Sequence, residues 1–174
     1  MTGSPLADEL IKAYEGYRTK AYQCSAKKWT IGWGHTRGVA EGMVISKETA
    51  EEYFKADKAR FEQAINKQYS DLPQNQFDAM LSFYFNLGSI KKDSNLHKYL
   101  GENKIPNAMR TWYLYYNSNG KPELGLKRRR ASEIIIFTGF PYTTWKEPRN
   151  MDNPALVQLL VNIQEYLGGL DDNE

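Results

Sequence analysis

The sequence is poor in the residues that form covalent or metal crosslinks. Its 174 residues include one cysteine, Cys24, and two histidines, His35 and His97. A single cysteine cannot close an intramolecular disulfide, which excludes a disulfide-stapled secreted scaffold and fits a reducing compartment. The three residues show no metal-ligand spacing, so we expect neither a metal nor another cofactor.

Long apolar runs and a strong charge imbalance are also missing. The first fourteen residues, MTGSPLADELIKAY, lack the basic segment and apolar run of a signal peptide or membrane anchor, so synthesis is expected to end in the cytosol. A net charge of +2 is too small to indicate a nucleic-acid partner. The 41% hydrophobic and 25% charged residues are typical of a soluble globular protein of one domain.

Local signals predict a helix, a small sheet and a long helix in the first seventy residues. A cap and a proline at positions 4–5 start a helix that Gly16 ends. Aromatic and β-branched runs at 20–23 and 29–33, broken by glycines, predict a small antiparallel sheet. An apolar stripe at helical spacing then predicts a long helix over about 47–69.

One acidic residue falls within the apolar stripe of the long helix. At 100° per residue, Asp57 lies about 20° from the line through Ala50. A carboxylate at the edge of a packed face needs a partner, and the predicted sheet offers His35. We therefore expect a structural ion pair between Asp57 and His35, the alternative being that Asp57 faces solvent.

The rest of the chain is predicted to be almost entirely helical. Helices are expected at Gln74–Leu87, 105–116 and about 126–137, joined by polar or glycine- and proline-containing segments. A last helix, 155–167, has one apolar face, and we expect it to pack on the other helices. The alternative, a segment that touches a membrane, is disfavoured because the polar face carries no lysine or arginine.

Glu15 is the candidate acid or base group. It ends the first predicted helix, just before the sheet, with Tyr14, Tyr17 and Tyr22 nearby in sequence. A cleft can form where a helix end meets a sheet, and a carboxyl group there can exchange a proton with a substrate. Composition alone leaves a solvated helix-end glutamate as the alternative.

Three motifs resemble those of one known family. Glu15, Cys24 and Thr30, the last followed directly by IGWGHT, resemble the catalytic signature of phage-type lysozymes, glycoside hydrolase family 24, whose middle position is Asp or Cys. LSFYFNLG, at 81–88, resembles the family's Phe-Asn-x-Gly helix end, and GLKRRRASE, at 125–133, its Gly-Leu-x-x-Arg-Arg-x-x-Glu segment.

The resemblance implies an α+β, mostly helical, two-lobed lysozyme-like fold for residues 1–146. It comprises a small β-sheet lobe, a long linking helix and a helical C-terminal lobe, with the active site in the cleft between the lobes. The expected bounds are about 15–45 for the small lobe, 47–69 for the linking helix and 70–146 for the helical lobe. A C-terminal extension, 147–174, with one amphipathic helix, has no counterpart in the family.

The resemblance also implies an endolysin. It would hydrolyse the β-1,4 bond between N-acetylmuramic acid and N-acetylglucosamine in bacterial peptidoglycan and so lyse the host cell. Peptidoglycan is the expected partner of a monomeric enzyme that binds no nucleic acid and does not insert stably into membranes. The enzyme would wait in the host cytoplasm until a holin permeabilises the membrane, and then reach the periplasm and cell wall.

The family's catalytic roles carry over to three residues of this chain. Glu15 would be the general acid, and Thr30 would help to hold a water molecule. Cys24 would take the place of the usual Asp, either orienting water for inversion or acting as nucleophile for retention, and the sequence leaves both open. A free thiol has a pKa of about 8.5, so it is mostly protonated at neutral pH unless its surroundings favour the thiolate.

The resemblance places three further residues at the substrate. Phe85 and Asn86 would contact the sugar chain, although Phe85 could equally be an ordinary core residue. Arg129 would pair with Glu15 from the other lobe. The residues of 127–130 that face away from the cleft are expected to form a solvated basic face, since successive helical residues point about 100° apart.

Two other classes of function remain as alternatives. The first is a peptidase with Cys24 as nucleophile and His35 as base, which would make the spacing of Glu15 and Thr30 a coincidence. The second is a non-catalytic peptidoglycan-binding relative, in which Cys24 marks the loss of the catalytic Asp. The retention of both Glu15 and Thr30 argues against that loss.

Overall fold

A computed structural model describes residues 1–24, 27–141 and 144–171, and the chain divides into two compact units. The expected mostly helical α+β fold is confirmed. The N-terminal unit, Met1–Asp71, contains α1 (Pro5–Glu15), β1 (Arg18–Gln23), β2 (Trp29–Gly32) and α2 (Lys47–Gln68). The helical unit, Leu72–Glu174, contains α3 (Gln74–Leu87), α4 (Asn95–Gly101), α5 (Ile105–Tyr113), β3 (Asn117–Ser118), β4 (Lys121–Pro122), α6 (Leu124–Thr138), a 3-10 helix (Glu147–Asn150) and α7 (Asn153–Asp171).

The N-terminal unit begins with the capped helix that the sequence predicts. The hydroxyl of Ser4 accepts a hydrogen bond from the backbone N–H of Leu6 at 3.2 Å, and Gly16 ends α1 at a φ of +68°. Leu10 of α1, Ile31 of β2 and Phe54 of α2 are all buried, and α2 packs against β2. Helix α1 therefore contributes buried side chains to the unit, and its last residue is the candidate acid.

Charged side chains also join α1 to α2. Lys12, in the last turn of α1, lies 2.7 Å from the carboxylate of Glu51, and its ammonium group lies over the ring of Trp33 at 4.4 Å. Near the start of α1, Asp8 accepts a hydrogen bond from Lys58 at 2.6 Å. The two pairs hold both ends of α1 against the long helix.

Strands β1 and β2 form an antiparallel hairpin. Tyr22 is opposite Thr30, and the register shifts between Arg18 and Tyr22. The chain after the hairpin adds to the edge of β1, since Ala21 donates its N–H to the carbonyl of Met43 at 2.9 Å. The small predicted sheet is therefore present, and it brings the residues after β1 close to those that begin β2.

The predicted pairing of His35 with Asp57 is confirmed. Nδ1 of His35 lies 2.7 Å from Oδ2 of Asp57, and Nε2 lies 2.8 Å from the carbonyl oxygen of Arg37. The imidazole ring also stacks on Tyr53, with ring centroids 4.2 Å apart. Since a carboxylate and a carbonyl are both acceptors, the two bonds form together only when both ring nitrogens carry hydrogen.

In the helical unit, α3 and α6 pack together as the central pair. Helix α5 lies against α6, α4 against α5, and α7 against both α5 and α6. The core between them is aromatic and aliphatic, with Phe83, Trp112 and Ile134 fully buried. Polar side chains are buried in the same core, and they are described with the site.

Helix α7, Asn153–Asp171, is longer at both ends than the predicted 155–167, and its apolar face packs against other helices. Leu156 and Ile163 are fully buried where α7 packs on α5 and α6, as expected for this face. None of the helices in the described part of the chain has the length and apolar character that a membrane crossing requires. The domain bounds 1–146 and 147–174 stay a prediction, and residues 172–174 lie outside the described part.

Helix α5 is shorter than predicted, and a hairpin follows it. The helix ends at Tyr113 instead of 116, and β3 and β4 pair antiparallel across Asn119 and Gly120. Both turn residues have positive φ, +50° and +75°, which is the geometry that an Asn-Gly pair favours in a tight hairpin. The turn chemistry therefore prevails over the helical spacing of the aromatic residues before it.

The ion pair of the N-terminal unit predicts a stability change. Asp57→Asn keeps an oxygen that can accept from His35 but removes the negative charge, so the free energy of unfolding should fall by about 1 kcal/mol. Urea denaturation at pH 6 measures it. Asp93→Asn, at an exposed position, is the matched control and should change little. Equal stability of the Asp57→Asn and wild-type proteins would show that the pair contributes no charge interaction.

Candidate functional site

Glu15 is held at the C-terminal end of α1 with its carboxyl group against a glycine. Its side chain is half-buried, and a Cβ atom built on Gly34 would lie only 2.9 Å from Oε2 of Glu15. Gly34 also has a φ of +84°, a conformation that favours glycine. The carboxyl group thus occupies the space that any side chain at position 34 would need.

Sequence reasoning did not assign a role to Gly34. The available signal was its place inside the IGWGHT stretch, directly before the paired residue His35. A glycine between two residues with defined partners indicates either a turn or a close approach of another group. The structure shows that here both apply.

Cys24 and Thr30 lie on either side of the hairpin turn. Cys24 follows β1, donates its N–H to the carbonyl of Lys28 at 3.0 Å, and accepts from the N–H of Lys27 at 2.8 Å. Its side chain is half-buried. Residues 25 and 26, between these bonds, lie outside the described part of the chain. The backbone bonds fix where Cys24 leaves the strand.

Thr30 is almost fully buried in β2. Its exposed fraction is 4%, and its hydroxyl donates to the carbonyl of Lys28 at 3.1 Å. Because the hydroxyl proton is committed to that carbonyl, what the oxygen retains is its capacity to accept. A water molecule bound there would have to donate to Thr30.

Tyr22 connects the two candidate catalytic groups electrostatically. Burial raises the pKa of its phenol, the Arg18 guanidinium opposes the rise, and negative charge at Glu15 and at Cys24 adds to it. In the hairpin, Tyr22, two residues before Cys24, pairs with Thr30. The sequence reasoning had named Tyr22 only as a neighbour of Glu15.

His35 is committed to structural bonds. Both of its ring nitrogens lie within 2.8 Å of oxygen acceptors, those of Asp57 and Arg37. A base for Cys24 would need a nitrogen with an available lone pair, which this arrangement does not leave. No group of three or more histidine, cysteine, aspartate or glutamate side chains among the described residues could hold a metal ion.

In the helical unit, Phe85 and Asn86 occupy the last turn of α3. Both side chains are half-buried, so Phe85 is not an ordinary core residue. The Oδ1 atom of Asn86 accepts a hydrogen bond from Nη2 of Arg130 at 3.1 Å. The amide of Asn86 is thus oriented by a residue of α6.

Arg129 is buried, with an exposed fraction of 2%. Its Nε donates to the hydroxyl of Ser82 and lies 3.3 Å from Oε1 of Glu133, and its Nη2 donates to the carbonyl of Ser82 at 3.0 Å. The sequence-based pairing of Arg129 with Glu15 would join the two units and stays a prediction. So does a contact between Arg129 and the glycan.

The carboxylate of Glu133 is the centre of a buried polar network. It accepts from the hydroxyl of Ser82 at 2.7 Å and from the indole N–H of Trp112 at 2.9 Å. Nε of Arg130 lies 2.8 Å from its Oε2, and Nη2 of Arg130 donates to its Oε1 at 2.9 Å. Glu133 and Arg130 are both fully buried.

This network corrects the expectation of a solvated basic face at 127–130. None of these four residues is exposed. Lys127 donates to the amide oxygen of Asn153 at 2.6 Å, and Arg128 donates to the carbonyl of Met151 at 2.8 Å. The expectation was wrong because Arg129 and Arg130 share the buried Glu133 of their own helix, and because Lys127 and Arg128 bond to residues more distant in sequence, Asn153 and Met151.

Comparisons with known proteins agree on one family. Residues 12–133 match the family described as Phage lysozyme. The endolysin of Acyrthosiphon pisum secondary endosymbiont phage 1 is 38% identical over 136 residues, which cover 74% of this chain and 92% of that protein. The endolysin of Bacillus phage B103 is also 38% identical, over 133 residues covering 74% of this chain and 51% of the relative, so the chain spans about half that relative's length.

A solved structure supports the same fold. The muramidase domain of SpmX from Asticaccaulis excentricus superposes on this chain with a TM-score of 0.68 at 34% sequence identity. The superposition covers 77% of this chain and 95% of that domain. The family match, residues 12–133, contains the hairpin, all of α3 and α6 as far as Glu133.

The close approach of Gly34 to Glu15 predicts a local effect on activity. In Gly34→Ala the new methyl group would displace the carboxyl group, and a shift of about 1 Å can slow catalysis by up to roughly a hundredfold. Gly38→Ala is the matched control, because Gly38 also has positive φ but no heavy atom within 4 Å of a built Cβ. Both variants should lose similar stability in thermal melts.

Turbidity loss of a peptidoglycan suspension measures the activity expected from the sequence. Only Gly34→Ala should lose most of its rate. If both alanine variants lost the same fraction of activity, backbone strain would explain the effect and the contact with Glu15 would not.

Proposed function

The chain belongs to the phage lysozyme family and is a glycoside hydrolase of the muramidase type, and from this premise we propose that it acts as a peptidoglycan-cleaving endolysin. The bond cleaved is the β-1,4 bond between N-acetylmuramic acid and N-acetylglucosamine. One observation carries the proposal: the carboxyl group of Glu15 rests against Gly34, within the family-matched segment that also holds Cys24 and Thr30. The family member proposed is one with Cys in place of the catalytic Asp, in glycoside hydrolase family 24.

Glu15 is the general acid of this mechanism. Its neutral carboxyl group donates a proton to the glycosidic oxygen while the bond from the anomeric carbon to that oxygen breaks. The electron pair of the bond leaves with the oxygen, which becomes the hydroxyl of the departing sugar. The fixed end of α1 and the backbone at Gly34 support this role, because they limit where the carboxyl group can point.

Cys24 and Thr30 act on the other side of the reaction. The acceptor capacity left on the Thr30 hydroxyl lets it orient a water molecule for attack on the anomeric carbon. Cys24, as its thiolate, either takes a proton from this water as the water attacks, or attacks the anomeric carbon itself. In the second case water later breaks the carbon–sulfur bond and gives its proton to the Glu15 carboxylate, which restores both the acid and the thiolate. In both cases water supplies the new hydroxyl at the anomeric carbon.

Phe85 and Asn86 contact the glycan from the last turn of α3. Their partial exposure supports this role, since each retains surface that a sugar can reach. A ring beside an amide provides an apolar contact and a hydrogen bond, which is the usual composition of a small polar-ligand site. Arg129 acts with them as a buried cation at the same end of α3.

The competing functions have less support. A cysteine peptidase needs His35 as its base, and both ring nitrogens of His35 bond to other partners. A non-catalytic binding relative would have no use for a glycine that makes room for the carboxyl group of Glu15. The hydrolytic function therefore accounts for more of the observed geometry.

Replacement of Glu15 tests the mechanism. Glu15→Gln keeps the side-chain shape but removes the transferable proton, so the rate should fall by at least roughly a hundredfold while the thermal melt is unchanged. Glu9→Gln, at an exposed position of the same helix, is the control. Mass spectrometry of the soluble products should find new reducing ends on N-acetylmuramic acid.

Expression of the wild type and of Glu15→Gln in bacteria tests the cellular setting that we propose. Expressed in a bacterial cytoplasm, wild-type protein should lyse cells only when a holin is co-expressed, and Glu15→Gln should lyse them in neither case. Lysis by the Glu15→Gln protein at the wild-type rate would exclude the mechanism. Lysis by the wild type without a holin would exclude holin dependence alone.

Cys24 gives the second test of the mechanism. A carboxylate can orient water at least as well as a thiol, so Cys24→Asp should remain active, whereas Cys24→Ala should lose most activity without unfolding. Iodoacetamide adds bulk to the chain's only thiol and should inactivate the wild type but not Cys24→Asp. Full activity of a protein that mass spectrometry shows to be alkylated at Cys24 would make the thiol a bystander.

A further inference from the structure

Arg130 is an immobilised cation. It is fully buried, and Glu133 holds it through two contacts, Nε to Oε2 at 2.8 Å and Nη2 to Oε1 at 2.9 Å. The guanidinium carbon also lies 4.8 Å from the ring centroid of Phe83. A buried side chain held by an ion pair and a hydrogen bond to one carboxylate, and by an aromatic ring, has little freedom to rotate toward a changing partner.

The same guanidinium determines which way the Asn86 amide faces. Its Nη2 lies 3.1 Å from the side-chain amide of Asn86. A guanidinium carries only donors, so the amide atom that faces it must be the oxygen. Because oxygen and nitrogen lie on opposite sides of a planar carboxamide, the Nδ2 group of Asn86 faces away from Arg130.

The outward-facing nitrogen is available to a ligand. Asn86 is only half-buried, and among the described residues its Nδ2 group donates to no protein atom. The two N–H donors of this group can therefore bind an acceptor on a bound molecule. The oxygen of Asn86 is turned toward Arg130, so the group that faces away from the guanidinium is the donor.

We propose that Arg130 is a positioning residue that turns Asn86 so that its amide N–H donors face the glycan, and that the selected acceptor is the acetamido carbonyl oxygen of an N-acetylated sugar. The inference rests on the proposed function, which places Asn86 at the glycan. It adds the direction of the hydrogen bond and the residue that sets it.

The arrangement selects against sugars that have lost the acetyl group. A free 2-amino group is protonated near neutral pH and carries donors and a positive charge, so it has no acceptor for Asn86. Donor would then face donor, with one group left unsatisfied on each side. Specificity of this kind depends on an unfavourable contact with the wrong substrate as well as a favourable one with the right substrate.

Asn86→Asp tests the proposal without removing the buried cation. The carboxylate has nearly the same shape and still accepts from Arg130, so the fold should be retained. The atom that faces the glycan changes from a donor to an acceptor with negative charge. The substrates are purified peptidoglycan and the same preparation after chemical de-N-acetylation.

The expected result is a change in substrate preference. Wild-type kcat/KM should be at least roughly tenfold higher on the N-acetylated glycan, which corresponds to the loss of one hydrogen bond. In Asn86→Asp the preference should disappear or reverse, because a carboxylate repels the acetamido oxygen and attracts the free amine. Asn107→Asp, at an exposed position of α5, carries the same charge change and should keep the wild-type ratio.

A second variant examines Arg130 itself. Arg130→Lys keeps the positive charge but loses the two-pronged contact with Glu133, so Asn86 is less firmly oriented and the preference should fall below the wild-type value. Thermal melting reports whether this variant folds. If it does not fold, the Asn86→Asp result decides alone.

The outcomes separate the two proposals. A wild type that cleaves neither substrate would overturn the proposed function. Two results would overturn the inference that Asn86 recognises the acetamido group and would leave the hydrolytic function standing. One is a wild type that cleaves N-acetylated and de-N-acetylated peptidoglycan equally well, and the other is an Asn86→Asp protein that is slowed equally on both substrates. A reversal of preference confined to Asn86→Asp would support the inference.

Discussion

The buried carboxylate of Glu133 is the interaction on which the helical unit depends. Four residues from three helices point their donors at it: Ser82 from α3, Trp112 from α5, and Arg129 and Arg130 from α6. An ionised carboxylate without solvent exposure costs several kcal/mol unless such donors surround it. The three helices must therefore pack in the one register that brings the donors together, and the last turn of α3, with Phe85 and Asn86, is placed by the same requirement.

In the N-terminal unit, backbone geometry instead of buried hydrogen bonds fixes the position of the candidate acid. A capped helix that ends at Gly16, a hairpin with a fixed register and a glycine at positive φ position the carboxyl group of Glu15 and the residues around the turn. The contact with Gly34 restricts the position of the Glu15 carboxyl group, as the surrounding donors restrict that of Glu133 in the helical unit.

The sequence predicted the parts that local signals determine. The bounds of α1 and α3 and the hairpin were predictable because a cap, a proline, a glycine or an apolar stripe lies within a few residues of each end. The Asp57–His35 pair was predictable because a single acid interrupted an apolar stripe near the only adjacent histidine.

Features that depend on distant or very short segments were not predicted. Arg129 and Arg130 lie within four residues of Glu133, but the helices that bury all three are distant in sequence, as with Ser82 at 51 residues, so the arginine run could not be recognised as buried. Strands β3 and β4 contain two residues each, too few for an alternation to show, although their Asn-Gly turn was a usable signal. The contact of Gly34 with Glu15 could not be predicted from the sequence, because glycine has no side chain whose chemistry would indicate a partner.

Both candidate binding groups follow one rule of hydrogen bonding. The Thr30 hydroxyl gives its proton to the carbonyl of Lys28, and the Asn86 oxygen is taken by Arg130. The bond to Lys28 leaves the Thr30 oxygen as an acceptor, and the bond to Arg130 turns the amide N–H donors of Asn86 away from that guanidinium. A hydroxyl or amide without such a partner could present either a donor or an acceptor by rotating. These bonds therefore set which polarity each group presents before any ligand binds.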